Sequence, residues 1–390
     1  MIDVIIPVYK GLLQTRRCID SVLRSEQATP FAIVAVDDAS PDPEISRYLR
    51  TLAEQGRITL LRNESNLGFV HSVNRGMALH PERDVVLLNS DTEVTNDWLD
   101  RLRRCACGQP DVGTVTPFSN NATICSYPFE GWTGGVPGGL GLAALDGLFA
   151  TVNAGRAVDL PTAVGFCMYI RRACLDRVGL FDVGRFGRGY GEENDFCMRA
   201  ASTGWRSLLA GDVFVFHEGA VSFSDERAAL TANAGKTLED LYPDYVRKVR
   251  DFVALDEGSA LRAAVDGARI TCGADEPGHV LAEHRDERTL LKARLTATED
   301  RAAQAIAERD SIVVQLRSGL AKAEELVAAR DAAIRELNGE IAMLRSGLSH
   351  AEALAFARAR EIEELHRSWV WKCREFVLRM RPGRRPPSRA

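Results

Sequence analysis

Four short apolar runs punctuate the first hundred residues, at 4–8, 31–36, 58–61 and 84–88, and each is continuous rather than alternating. Between them, 12–23, 45–52 and 70–79 carry apolar side chains at helical spacing, as at Leu13, Ile19, Val22 and Leu23. Buried strands separated by amphipathic helices predict an α/β fold with a mostly parallel central sheet covered on both faces. Ligands of such sheets bind beyond the carboxyl ends of the strands. Polar residues gather at those ends: Tyr9, Asp37 and Asp38, Asn66, and Asp91.

The pattern changes towards the C-terminus. Stepping three then four from Val313 gives Val313, Leu316, Leu320, Ala323, Val327 and so on to Trp369, and only Arg330 and Arg358 interrupt the apolar seam. This is the heptad period of a long α-helical coiled coil. Segments 316–337 and 344–365 are identical at 13 of 22 positions, a 28-residue internal duplication. A lone helix cannot bury such a seam, so the pattern predicts a homo-oligomer formed through the coiled coil. The alternative is a hairpin folded back at Gly319, Gly339 or Gly347. The chain then divides into an α/β domain at 1–255, a linker at 256–282, the coiled coil at 283–378 and a basic Pro/Arg-rich tail at 379–390.

Charge and composition narrow the classes. A net charge of −5 over 390 residues gives no basic excess for nucleic acid. Nine cysteines with no CxxC pair suggest neither a disulfide framework nor a zinc site, and fit a reducing compartment. The start, MIDVIIPVYKG, lacks a basic n-region, and its short apolar run is broken by Pro7, so it does not read as a signal peptide. No run reaches the roughly 18 apolar residues of a membrane span. The expected location is cytoplasmic, including the cytosolic face of a membrane. From 366 to 390 eight Lys/Arg face one acid, with Trp369, Trp371 and Phe376 interleaved. Two readings stand: peripheral contact with an anionic membrane, or a solvated tail.

Three acidic stretches carry candidate chemistry. Asp37-Asp38 ends a buried strand, where a carboxylate can accept from a nucleotide; Asp38, Ser40 or Asp42 can equally cap the helix that follows. Asn89-Ser90-Asp91 also ends a strand and suits Mg²⁺ or Mn²⁺. GYGEENDF (189–196) packs Glu192, Glu193 and Asp195 into four positions. Asp195 reads as the residue opening a helix over 196–202, with Arg199 as its partner. GLGLAA (139–144) mimics a dinucleotide loop, but no strand precedes it. It reads as a flexible connection or a loop over the site.

VIIPVYKG, VDDAS, NESNLGFVHSVNRG, VVLLNSDTEV, GYGEENDFCMRAASTGW and VFVFHEGAVSF, in this order and spacing, resemble glycosyltransferase family 2 enzymes of the GT-A fold, and among them a branch making bacterial surface polysaccharides. The resemblance covers about 1–250. It implies that Pro7, Tyr9, Asp37, Asp38, Asn66 and Asn89 line the donor-nucleotide site. It implies that Asp91 contacts Mn²⁺ or Mg²⁺ directly and that His217 is a ligand of the metal or of the donor phosphate. It also implies that Glu193, or its neighbour Glu192, is the base that deprotonates an acceptor hydroxyl. The activity so implied is inverting transfer of a hexosyl or deoxyhexosyl unit from a nucleotide-diphosphate sugar to a glycan or lipid-linked glycan. A sugar-nucleotide-binding scaffold working through the coiled coil is the alternative. A nucleotidyltransferase is disfavoured, since no Gly-rich, Lys-containing N-terminal loop is present.

Overall fold

The computed structural model describes residues 1–219, 227–367 and 369–379. Contacts divide the chain into two units, Met1–Ala293 and Arg294–Ala390. The first unit opens with β1 (Ile2–Val8), α1 (Leu12–Arg24), β2 (Phe31–Asp37), α2 (Pro43–Glu54), β3 (Thr59–Arg62), α3 (Phe69–Met77) and β4 (Asp84–Leu88). These are the four runs and three helices that the pattern predicts. A short β5 (Thr92–Glu93), α4 (Trp98–Cys107) and β6 (Val112–Phe118) follow, then α5 (Leu142–Val152), β7 (Ala157–Leu160) and β8 (Cys167–Ile170). After them come α6 (Arg172–Val178), α7 (Val183–Phe186), α8 (Glu192–Ser202), β9 (Arg206–Phe214) and β10 (Phe216–His217).

Eight strands form one sheet in the order β3-β2-β1-β4-β8-β6-β9-β7. The ladders β1–β2, β1–β4, β2–β3 and β6–β9 are parallel. β8 runs antiparallel between β4 and β6, and β7 antiparallel along β9. Side chains such as Ile19 and Val22 of α1 and Trp98 and Leu102 of α4 cover one face. Val70, Val73 and Met77 of α3 and Phe196 of α8 cover the other. Covering both faces explains why the strands read as unbroken apolar runs. Asp3 is the exception inside β1. It is fully buried and compensated by His80 Nδ1 at 2.7 Å and Arg83 at 3.0 Å.

Two expectations and one alternative are corrected. The span 256–282 holds α11 (Ser259–Thr271), which follows α9 (Arg227–Leu241) and α10 (Tyr245–Leu255). Leu261, Val265 and Arg269 recur at i, i+4, i+8 and bury one helical stripe, which scattered glycines and charges obscure in the sequence. Asp266 of α11 accepts from Tyr127 Oη at 2.7 Å, and the Leu261 carbonyl accepts from Asn153 at 3.0 Å. Second, α12 (Pro277–Arg367) runs without a break through Gly319, Gly339 and Gly347, so the chain does not turn back there. Third, α8 starts at Glu192, four residues earlier than expected. Asp195 is therefore inside the first turn rather than at its mouth. It still pairs with Arg199 at 2.7 Å and accepts from Tyr242 Oη.

The second unit comprises the rest of α12 and α13 (Trp369–Arg379). Seam residues Leu316, Leu320, Leu337, Ile341, Leu344 and Leu348 are exposed in the single chain. The tail beyond 379 lies outside the described residues, as do the side chains of Trp369 and Trp371 and residues 220–223 of the late His motif. Among the described residues, no helix is long and apolar enough to cross a membrane.

One buried ion pair fastens α4 to α5 and β9. Arg101 grips both oxygens of Asp146, at 3.0 and 2.5 Å, and donates to the Asp212 carbonyl. Both side chains are essentially excluded from solvent, at 2% and 0% exposure. Arg101→Ala strands the Asp146 charge, and urea unfolding at pH 7 is expected to show a loss of about 3–5 kcal/mol. A loss of under about 1 kcal/mol, the value of a surface pair, contradicts this reading.

Candidate active site

The carboxyl ends of β1, β2, β4 and β6 face one side of the sheet, and three clusters assemble there. The first lies beyond β1 and β2. Tyr9 is half-buried, with Lys10 Nζ 5.3 Å from its ring centre. Asp37 is buried, accepting from Ser40 N–H and from the Ser46 hydroxyl at 2.7 Å, with Arg62 at 3.6 Å. Asp38 is also buried. Its Oδ1 accepts from Asn63 and the Leu67 amide, and its Oδ2 from the Gly68 amide. A carboxylate has about four acceptor positions. Asp38 thus spends most of its capacity shaping the 63–68 loop, which presents Asn66. The Asn66 Oδ1 accepts from Arg188, joining this loop to the approach to α8. Of the three capping candidates, Asp42 is the one that caps α2, through the Glu44 amide. Pro7 is half-buried in β1, past the end of the ladder to β4 at Ile5.

The second cluster depends on a pairing that short-range patterns do not reveal. β10 runs antiparallel to β5, setting His217 opposite Thr92. This brings His217 Nε2 to 3.5 Å from Asp91 Oδ1. The other ring nitrogen, Nδ1, lies 2.7 Å from the Asn121 carbonyl. A carbonyl only accepts, so Nδ1 carries a proton and donates it there, which leaves Nε2 as the ring nitrogen that faces Asp91. The far oxygen of Asp91 accepts from the Gly219 amide, and its carbonyl from the Glu218 amide. Gly219 sits at φ +72, and a Cβ there would overlap the Asn121 amide. Glu218 is anchored to α1 by Gln14 and Arg17. Asn89 acts through its backbone: its carbonyl accepts from Thr92 Oγ1 and its amide donates to Phe166. Carboxylate plus imidazole suits a divalent cation. Among the described residues no group of three or more His, Cys, Asp or Glu is poised for a metal, so Asp91 and His217 stand as a two-residue donor set.

The third cluster is the start of α8. Glu192 is only 4% exposed, and its Oε2 has no hydrogen-bond partner. Glu193 is half-buried. Burial, aided by the neighbouring Glu193 charge, lifts Glu192 well above the usual carboxylate range. Burial also raises Glu193, against amide donors at the helix start that favour its charged form. The segment before β8 joins this cluster to the second. Gly165 lies beside Glu193, where a Cβ would touch its carboxyl carbon at 3.7 Å. The next residue, Phe166, stacks on the His217 ring with centroids 5.2 Å apart. Thr162 and Ala163 bond Asn194 and Cys197 of α8. Glu193 and His217 thus flank one dipeptide.

The sequence reading did not pick out Gly165-Phe166, Asn120-Asn121, or Gln14 and Arg17. For Asn120-Asn121 a signal exists, a polar pair just past the buried strand β6.

Residues 3–179 match the family model described as Glycosyl transferase family 2. Over that segment, just under half of the chain, the sequence is similar to this family. The sheet around it has the mostly parallel, mixed arrangement of the GT-A fold. The matched segment holds Tyr9 through Asp91 and ends before Glu192, Glu193 and His217. No curated protein sequence matches the chain. Among solved structures, GalNAc-T7 with UDP, GalNAc and Mn²⁺ is 18% identical with a TM-score of 0.46, covering 68% of this chain and 54% of that one. This chain thus spans about half the length of that relative. The mannosyltransferase PcManGT from Pyrobaculum calidifontis, in complex with GDP-Man and Mn²⁺, is 18% identical with a TM-score of 0.44, covering 74% of this chain and 79% of that one. Likeness at this level assigns no substrate.

The acid pair makes stability depend on pH. An acid whose folded pKa is raised binds a proton in the native state that the unfolded chain has already lost, so stability falls as pH rises above about 4.5. Glu192→Gln removes that penalty. The variant is expected to match the wild type near pH 4 and to become the more stable of the two towards pH 8 in urea melts. A variant that loses ground as pH rises would show that Glu192 is ionised and paired in the native chain.

Proposed function

We propose that the chain is an inverting, metal-dependent glycosyltransferase. The donor is a nucleotide-diphosphate sugar, and the acceptor a hydroxyl of a glycan or lipid-linked glycan in polysaccharide synthesis. One observation carries the reading: Gly165-Phe166 has a raised-pKa glutamate beside one residue and a carboxylate–imidazole pair against the other. Tyr9, Asp37, Asp38, Pro7, Asn66 and Asn89 frame the nucleotide end. Asp91 and His217 hold Mn²⁺ or Mg²⁺, which offsets the charge of the departing diphosphate. Glu193, the more exposed of the adjacent glutamates, takes the proton from the acceptor hydroxyl. That oxygen attacks the anomeric carbon opposite the diphosphate, the bond from that carbon to the phosphate oxygen breaks, and the configuration inverts. Glu192, buried and held above the usual carboxylate range, resists adding a second charge beside the forming alkoxide. A scaffold that only binds sugar nucleotides would not need a proton acceptor at Glu193.

We also infer that α12 joins copies of the chain through its heptad seam, and that the basic end contacts an anionic membrane from the cytosolic side.

Two experiments test these readings. A panel of nucleotide sugars with Mn²⁺ is expected to yield nucleoside diphosphate. Asp91→Ala should abolish release, and Glu193→Gln should lower kcat by about 10²–10⁴-fold. Full turnover by either variant removes that residue from the mechanism. For assembly, light scattering should give an oligomer for the full chain and a monomer for a chain ending at residue 293. The cut belongs there and not at 282, because Glu283 accepts from buried Arg269 at 2.8 and 2.9 Å. A monomeric full chain refutes the assembly.

A further inference from the structure

β10 is only two residues long, so its ladder to β5 is a weak reason for His217 to stay in place. Its other edge carries a second grip. Asn120 lies just beyond β6 and is 2% exposed. Its Oδ1 accepts from the His217 amide at 2.8 Å, and its Nδ2 donates to the His217 carbonyl at 3.0 Å. One side-chain amide thus pairs with both backbone groups of His217, as a neighbouring strand would. The second Nδ2 proton goes to the Gly134 carbonyl at 2.6 Å. Both donor hydrogens of the amide are used. The next residue, Asn121, orients the ring through its carbonyl, and Phe166 packs against the ring face.

We propose that Asn120 is a positioning residue: it holds His217 for metal binding and ties the site to the Gly-rich segment 134–141 through Gly134. The inference rests on the reading of Asp91 and His217 as metal ligands. Groups that orient a ligating histidine typically matter 10–100-fold in metal affinity. Ala at 120 leaves the His217 amide and carbonyl and the Gly134 carbonyl without their shared partner, and frees the backbone to move Nε2 away from Asp91. Because a single amide holds both His217 and Gly134, fixing His217 with a metal should also slow opening of the Gly-rich segment.

The test uses the full chain and Mn²⁺ alone. Free Mn²⁺ is counted by electron paramagnetic resonance to give Kd, and electron spin-echo modulation reports nitrogen bound to the ion. Asn120→Ala is expected to raise Kd by about 10–100-fold and to lose or weaken the nitrogen modulation, with circular dichroism unchanged. Asn153→Ala is the control, a buried asparagine that serves α11 through the Leu261 carbonyl and should bind Mn²⁺ as the wild type does. Wild-type Kd and modulation in Asn120→Ala overturn the proposal. A wild-type chain with no Mn²⁺ binding, or no nitrogen modulation, fails at the metal site itself and takes the proposal with it. If Asn120→Ala does not fold, hydrogen exchange on the wild type decides: Mn²⁺ should slow exchange across 131–141 as well as 216–219, and protection confined to 216–219 refutes the coupling.

Discussion

The site depends on one short antiparallel contact. Two residue pairs, Phe216 with Glu93 and His217 with Thr92, join the end of β4 to the segment that follows β9. Without it, Asp91 is a carboxylate in a strand-end turn and His217 a histidine after an apolar strand. With it, the two face each other at 3.5 Å, and the Glu218 and Gly219 amides close on Asp91. So small a ladder needs outside support. Gln14 and Arg17 hold Glu218 from α1, Asn120 grips the His217 backbone, and Phe166 backs the ring. The rigid sheet below sets the heights of all these pieces, since each hangs from a strand or helix end.

The acidic residues divide their work according to burial. Asp37 and Asp38 are buried and largely satisfied by one serine hydroxyl, an asparagine and backbone amides; Asp37 fixes the turn into α2, and Asp38 shapes the loop that carries Asn66. Asp195 is consumed by Arg199 and Tyr242. Glu192 is buried with an unpartnered oxygen, a state a carboxyl group tolerates best when neutral. Glu193 is left as the half-buried member whose surroundings raise its proton affinity while leaving it reachable. Packing thus separates adjacent carboxyl groups that the sequence presents as equivalents.

Much of this was legible beforehand, for definable reasons. β1 to β4 and their helices are fixed by local periodicity, and the strand-end positions of Tyr9, Asp38 and Asp91 follow from it. The register of β10 on β5 is non-local, and two-residue strands have no periodicity to read. The role of Asn120 has no signal in the sequence, because it lies in what its amide meets, more than ninety residues away in the chain. α11 looks like linker in the sequence because its buried stripe includes Arg262, Asp266 and Arg269, charged residues that look solvated until their partners are known. The start of α8 is hidden in the sequence because Gly191, at φ +89, breaks the chain just before Glu192, and the acidic run then resembles a loop.

The central claim is that Asp91 and His217 form one metal site. Anomalous diffraction at the manganese edge, from crystals of the full chain grown with Mn²⁺ and a nucleoside diphosphate, tests it most directly. The account predicts a peak within bonding distance of Asp91 Oδ1 and His217 Nε2. A peak at Asp37 and Asp38 instead, or a metal bound with His217 turned away, would contradict it.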